Sequence, residues 1–98
     1  MQPRYVELSR AATVDEILQV TRDYLATWTD DDLEGLPVAC RPAAEVVRGP
    51  DDIEAWADRL CDEAPRAVML HDHERNLHRL TSHFLIASVR MRQIGAAT

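Results

Sequence analysis

The sequence predicts an all-α protein, a small helical bundle of three main helices plus one short helix. Three observations carry that expectation. Apolar residues recur by threes and fours rather than in alternation, which is the signature of helices with one buried face. Helix-start signals stand at Thr13, Thr29 and Gly49-Pro50, and Gly35, Pro37 and Pro65 interrupt the chain at helical lengths after them. The final stretch, residues 67–94, reads as one long C-terminal helix with an apolar surface wider than a single bundle face needs. All 98 residues are expected in a single helical domain. A chain of this length buries only about 60–65% of its unfolded surface. Aromatic residues are few, so the core is expected to be Leu, Val, Ile and Ala.

Residues 1–12 show no period and are expected to form an extended N-terminal arm docked through Tyr5, Val6 and Leu8. Thr13 with Glu16 three residues on is a capping-box signature, in which two orphan backbone amides at a helix start are satisfied reciprocally. Val14, Ile17, Leu18, Thr21, Tyr24, Leu25 and Trp28 then follow at helical spacing, giving a helix over 13–28. Thr29 and the three acids Asp30, Asp31 and Asp32 place a cap and negative charge at the positive end of a helix dipole. Gly35 and Pro37 end that short helix, 30–36, whose inward residues are Leu33 and Leu36.

Residues 37–49 are expected as an ordered loop. Pro42 biases Arg41 to extended backbone, and Val46-Val47 suit a few extended residues. Gly49-Pro50-Asp51-Asp52 starts the next helix, 50–64, because proline is tolerated in a first turn and acids favour it. Ile53, Trp56, Ala57, Leu60, Cys61 and Ala64 form its apolar face, and Pro65 ends it. The long helix, 67–94, carries one stripe through Leu70, His73, Leu77, Leu80, Phe84, Ala87, Met91 and Ile94, with Gly95 as its C-cap and a fraying tail. Leu85 and Val89 add apolar surface on another side. At about 1.5 Å per residue this helix is roughly 40 Å long, as long as a domain of this size is wide.

The formal net charge of −6 opposes nonspecific nucleic-acid binding, which requires basic surface to displace counterions. All 11 basic residues are Arg. Together with abundant Ala and Asp, this points to GC-rich coding and a bacterial source. Arg75, Arg79, Arg90 and Arg92 lie on the last helix, which is the basis of a third reading, a DNA-associated regulator. That reading lacks a basic overall balance and a short helix pair with a polar recognition helix. Arg75 and Arg79 are expected instead to pair with acids of the first and third main-chain helices. Cys40 and Cys61 form no metal or redox pattern. Cys61 is placed on an apolar face, and Cys40, in the loop, is expected to be the more exposed and reactive. The N-terminus lacks the apolar run of a signal peptide, and no stretch approaches a membrane span. The expectation is a soluble cytoplasmic protein with reduced thiols. Its glycines, Gly35, Gly49 and Gly95, stand at helix ends and build no phosphate loop.

His71-Asp72-His73-Glu74-Arg75-Asn76-Leu77-His78 is the one stretch with the look of chemistry. On a helix, His71, Glu74 and His78 share a face, and two imidazoles with a carboxylate are a plausible zinc or iron ligand set. Neither the HExxH pattern nor the E-x-x-H pairs of di-iron bundles occur. The favoured reading is a polar helix face with no metal and no cofactor, and with His73 turned to the core. Helix capping accounts for Asp30–Asp32 and Asp51–Asp52, and core packing for Trp28 and Trp56. No arrangement of nucleophile and base marks an enzyme. The functional expectation is therefore a protein–protein interaction or regulatory module, a homodimer formed through Leu85, Val89 and Arg92 on the C-terminal helix. A metal-binding protein or metal-dependent enzyme using His71, Glu74 and His78 is the alternative.

Overall fold

The computed structural model describes residues 2–96, and every regular element in it is helical. Helix α1 spans Tyr5–Arg10, α2 Val14–Ala26, α3 Asp30–Glu34, α4 Pro50–Glu63 and α5 His71–Ala96. Single 3₁₀ turns at Val38–Cys40, Ala44–Val46 and Ala64–Arg66 shape the connections. The fold class is the expected one, all-α with a long C-terminal helix.

Local capping chemistry explains where the helices begin. The Thr13 hydroxyl accepts the Glu16 amide at 3.2 Å, and the Glu16 carboxylate reaches back to the Ala12 amide at 2.8 Å. Thr29 and Asp32 exchange both capping bonds, and the Thr29 amide and hydroxyl, both donating to the Asp32 carboxylate, hold that carboxyl below its ordinary range. Asp52 accepts the amides of Arg48 and Gly49, so α4 is capped although glycine brings no side chain. Arg41 donates to the carbonyls of Leu36 and Glu34, satisfying acceptors beyond the end of α3. Arg22 on α2 donates to the carbonyls of Val47 and Arg48, which pins the 37–49 loop down.

Helix α5 is the centre of the molecule. It packs against α4, α2 and α1, and its 26 residues, about 39 Å at helical rise, run the length of a body measuring 42 × 23 × 22 Å. Its inward side chains are Leu77, Leu80, His83, Phe84, Ala87, Ser88 and Met91. They meet Ile17, Leu18, Tyr24, Leu25 and Trp28 of the α2 region, Ile53, Ala57 and Leu60 of α4, and Leu8 of α1 in one core. Complete burial of such side chains is worth about 1.5–3 kcal/mol each.

Several expectations are corrected. The N-terminal arm is not extended, because Tyr5–Arg10 closes into a helix that buries Leu8 and leaves Tyr5 and Val6 exposed. The long helix begins at His71 rather than 67: residues 67–69 follow the Pro65 turn outside the helix, the Leu70 carbonyl accepts its first bond, from the Glu74 amide at 3.0 Å, and Val68 and Leu70 face solvent. Gly95 is not a left-handed cap: no glycine has positive φ, and α5 continues through Ala96. Ala97 and Thr98 of the expected tail lie outside the described residues. The cysteines exchange roles. Cys40 is turned inward by the 3₁₀ turn that packs on α4, and burial followed by the nearby Glu63 pushes its thiol pKa up, while Cys61 is exposed. Trp56 is half-buried at the rim of the core rather than within it.

Candidate functional site

The most distinctive surface lies on the side of α5 that no other helix covers. Leu85, Ile86 and Val89 keep 42%, 39% and 46% of their surface accessible, although they stand in the middle of the central helix. This side is apolar because residues 84–89 contain no charge, so nothing in that turn and a half favours water. Ile86 and Val89, together with Arg90 and Gln93, form one wall and the floor of a groove of about 220 Å³ whose opposite wall includes Ser9 of α1. Val6, exposed on α1, stands three residues from Ser9 and shares its face. Ser9 thus brings α1 to the edge of the exposed side of α5.

The cations beside this face are engaged within the chain. Arg90 donates to the Ala11 carbonyl at 2.8 Å and to the Gln93 side-chain oxygen at 3.3 Å. Arg92, expected at the interface, pairs with Glu54 of α4 at 3.5 Å and stays largely solvated. The second ion pair among the described residues is Arg66–Asp62. The expected pairing of Arg75 and Arg79 with acids is thus not found among the described residues, where Arg66 and Arg92 are the arginines in ion pairs.

The histidine cluster divides. His71, Glu74 and His78 all project into solvent from the first turns of α5. Among the described residues no group of three or more His, Cys, Asp or Glu is gathered closely enough to hold a metal ion. His73 does not reach the core. Its half-buried imidazole lies against Gly35 at the end of α3, in the space a β-carbon there would fill, and its Nδ1 has no hydrogen-bond partner. The core histidine is His83, fully buried nearly three turns further on. Periodicity pointed away from it, since Leu80 and Phe84 already satisfy the stripe. The one available signal was its place beside Phe84 in the apolar half of the helix.

A second concavity, about 210 Å³, is lined by Ala55, Trp56 and Arg59 on the outer side of α4. The Arg59 guanidinium carbon sits 5.0 Å from the centre of the Trp56 ring, a cation–π contact that occupies the ring face. Among the described residues no helix is long and apolar enough to cross a membrane. No family model, no curated protein and no solved structure matches the chain.

Proposed function

We propose that the chain is a protein-interaction module that self-associates, placing the Leu85, Ile86 and Val89 face of α5 on the same face of a second copy. In this reading it is a soluble bacterial protein of the cytoplasm whose working form is a homodimer. The observation that carries it is the exposed aliphatic surface at the centre of the longest helix. Contiguous surface of this kind marks interaction sites.

Three features favour a second copy as the occupant. A patch of aliphatic side chains is complementary to itself, as a two-fold interface requires. No charge lies between residues 84 and 89, so two copies bring no like charges together at the centre. The flanking Arg90 and Arg92 each have a partner, Ala11 and Glu54, in their own chain. A standard interface covers about 800 Å² per partner, roughly one-seventh of the 5849 Å² surface. In this reading the interface extends along α5 from Leu85, Ile86 and Val89 and takes in the neighbouring Val6 and Ser9 of α1.

The test is Leu85→Glu combined with Val89→Glu, examined by light scattering and circular dichroism. The expected outcome is a monomer with wild-type helicity. A variant of wild-type mass places the interface elsewhere. A variant that unfolds assigns these side chains to the protomer core.

A further inference from the structure

Helix α1 has six residues, too few to be helical on its own. Its position therefore depends on contacts with the rest of the chain. Leu8, with Pro3 and Ala11 on either side, is its buried part. Two polar bonds hold its ends to α5. The Arg4 amide donates to Nδ1 of His83 at 3.4 Å, and Arg90 donates to the Ala11 carbonyl at 2.8 Å. The anchor points are seven residues apart on both segments, so α1 lies along two turns of α5 in matched register and the same direction.

The first of these bonds ends on a titratable ring with no access to water. His83 is 0% exposed, stacks on Tyr24 with ring centres 4.3 Å apart, and meets Phe84 edge-on. Its Nε2 lies 3.0 Å from the Thr21 hydroxyl of α2. Because Nδ1 accepts from a backbone amide, the ring's single proton belongs on Nε2, where it is donated to Thr21. We propose that α1 is a proton-released strap: neutral His83 holds it on α5, and protonation of His83 detaches it while α2, α4 and α5 remain packed.

The selectivity follows from hydrogen-bond polarity. A second ring proton goes onto Nδ1, where it meets the Arg4 N–H donor against donor. The Thr21 oxygen accepts from Nε2 in either state. Protonation thus breaks the bond to the arm and spares the bond to α2. The surroundings give the cation no counter-charge. The arm presents the Arg4 guanidinium, α2 presents Tyr24, whose hydroxyl is pushed up to about 12 by burial, and α5 adds Phe84 and, beside Tyr24, Arg79. Burial, with the Arg4 charge second, accordingly lowers the His83 pKa to about 4. Lifting α1, which is joined to α2 by residues 11–13, brings water to Nδ1. Lifting α1 also removes the Ser9 wall of the groove beside Ile86 and Val89. The strap does not depend on self-association, and it can be tested on a monomer.

The experiment is amide hydrogen exchange at pH 7 and pH 4.5, corrected for the intrinsic pH dependence of exchange. Protection over residues 5–11 should fall at least about tenfold more than protection over residues 80–87. Replacing His71, His73 and His78 together with Gln should leave that difference intact, and His83→Asn, which keeps an acceptor near Nδ1 but does not titrate, should abolish it. If His83→Asn fails to fold, nuclear magnetic resonance titration of the wild-type His83 ring decides: its midpoint should coincide with the shift of the α1 amides. Equal loss of protection in both segments, no loss in either, or loss of the response in the triple-Gln variant overturns the proposal.

Discussion

Phe84 and Leu85 are neighbours on α5, and both are large and apolar. Phe84 is wholly buried among α2, α4 and α5, while Leu85 keeps 42% of its surface in solvent. The same contrast runs along the helix, with Leu77, Leu80, Ala87 and Met91 on the filled side and Ile86 and Val89 on the open one. Hydrophobic burial is non-directional, so the side chains themselves do not explain the difference. Supply of partners does. α1, α2 and α4 cover part of the circumference of α5, and among the described residues no further long helix covers the rest.

The largest effect that would separate the two sides is Phe84→Ala, which should cost about 3–5 kcal/mol. Leu85→Ala, measured at a concentration where only monomer is present, should cost less than about 1 kcal/mol. Denaturant titration of both variants checks the pair, and equal losses would erase the distinction between the faces.

Next in size is the pH response of the filled side. The His83 pKa lies near 4 in the folded chain and near 6.5 in the unfolded one. The unfolded state therefore binds more protons between those values, so stability is full above about pH 6.5 and declines as pH falls toward 4. The ceiling on that decline is about 3 kcal/mol, and it is smaller to the extent that α1 detaches and admits the proton without global unfolding. Urea unfolding at several pH values should show the slope, and His83→Phe should flatten it.

A smaller effect tests how the start of α5 is seated. Gly35→Ala places a methyl group where the His73 ring lies. Gly35 has an ordinary φ of −73°, so the conflict is purely with that ring. The ring is the end of a side chain that is only partly buried and can turn away, so the expected cost is about 1 kcal/mol. His73→Ala in the same chain should remove most of it, and additive losses in the double mutant would show that the two residues do not interact.

The helix starts were legible in the sequence because they rest on local chemistry. Thr13, Thr29 and Asp52 each find their partners within four residues, and the structure places them at helix starts. What was not legible depends on distant contacts. Nothing in Tyr5–Arg10 announces a helix, since it exists only where Leu8, His83 and Arg90 hold it against α5. Leu70 extends the apolar period backward in sequence, but the chain enters α5 only after it, so the stripe loses its first members. His73 fits the period and His83 breaks it. The bonds that make His83 a core residue come from Thr21 and Arg4, 62 and 79 positions away. The reversal of Cys40 and Cys61 has the same origin, a 3₁₀ turn folded onto α4. For the candidate site, helical spacing marked Leu85 and Val89 as a second apolar side, whereas the contribution of α1 to the groove required the fold.

The central claim is that the open side of α5 is covered by a second copy. Sedimentation equilibrium of the wild-type chain from about 1 to 100 μM, at neutral pH, tests it most directly. The predicted result is a concentration-dependent rise in average mass from 11.1 kDa toward twice that value. A mass that stays at 11.1 kDa throughout would contradict it.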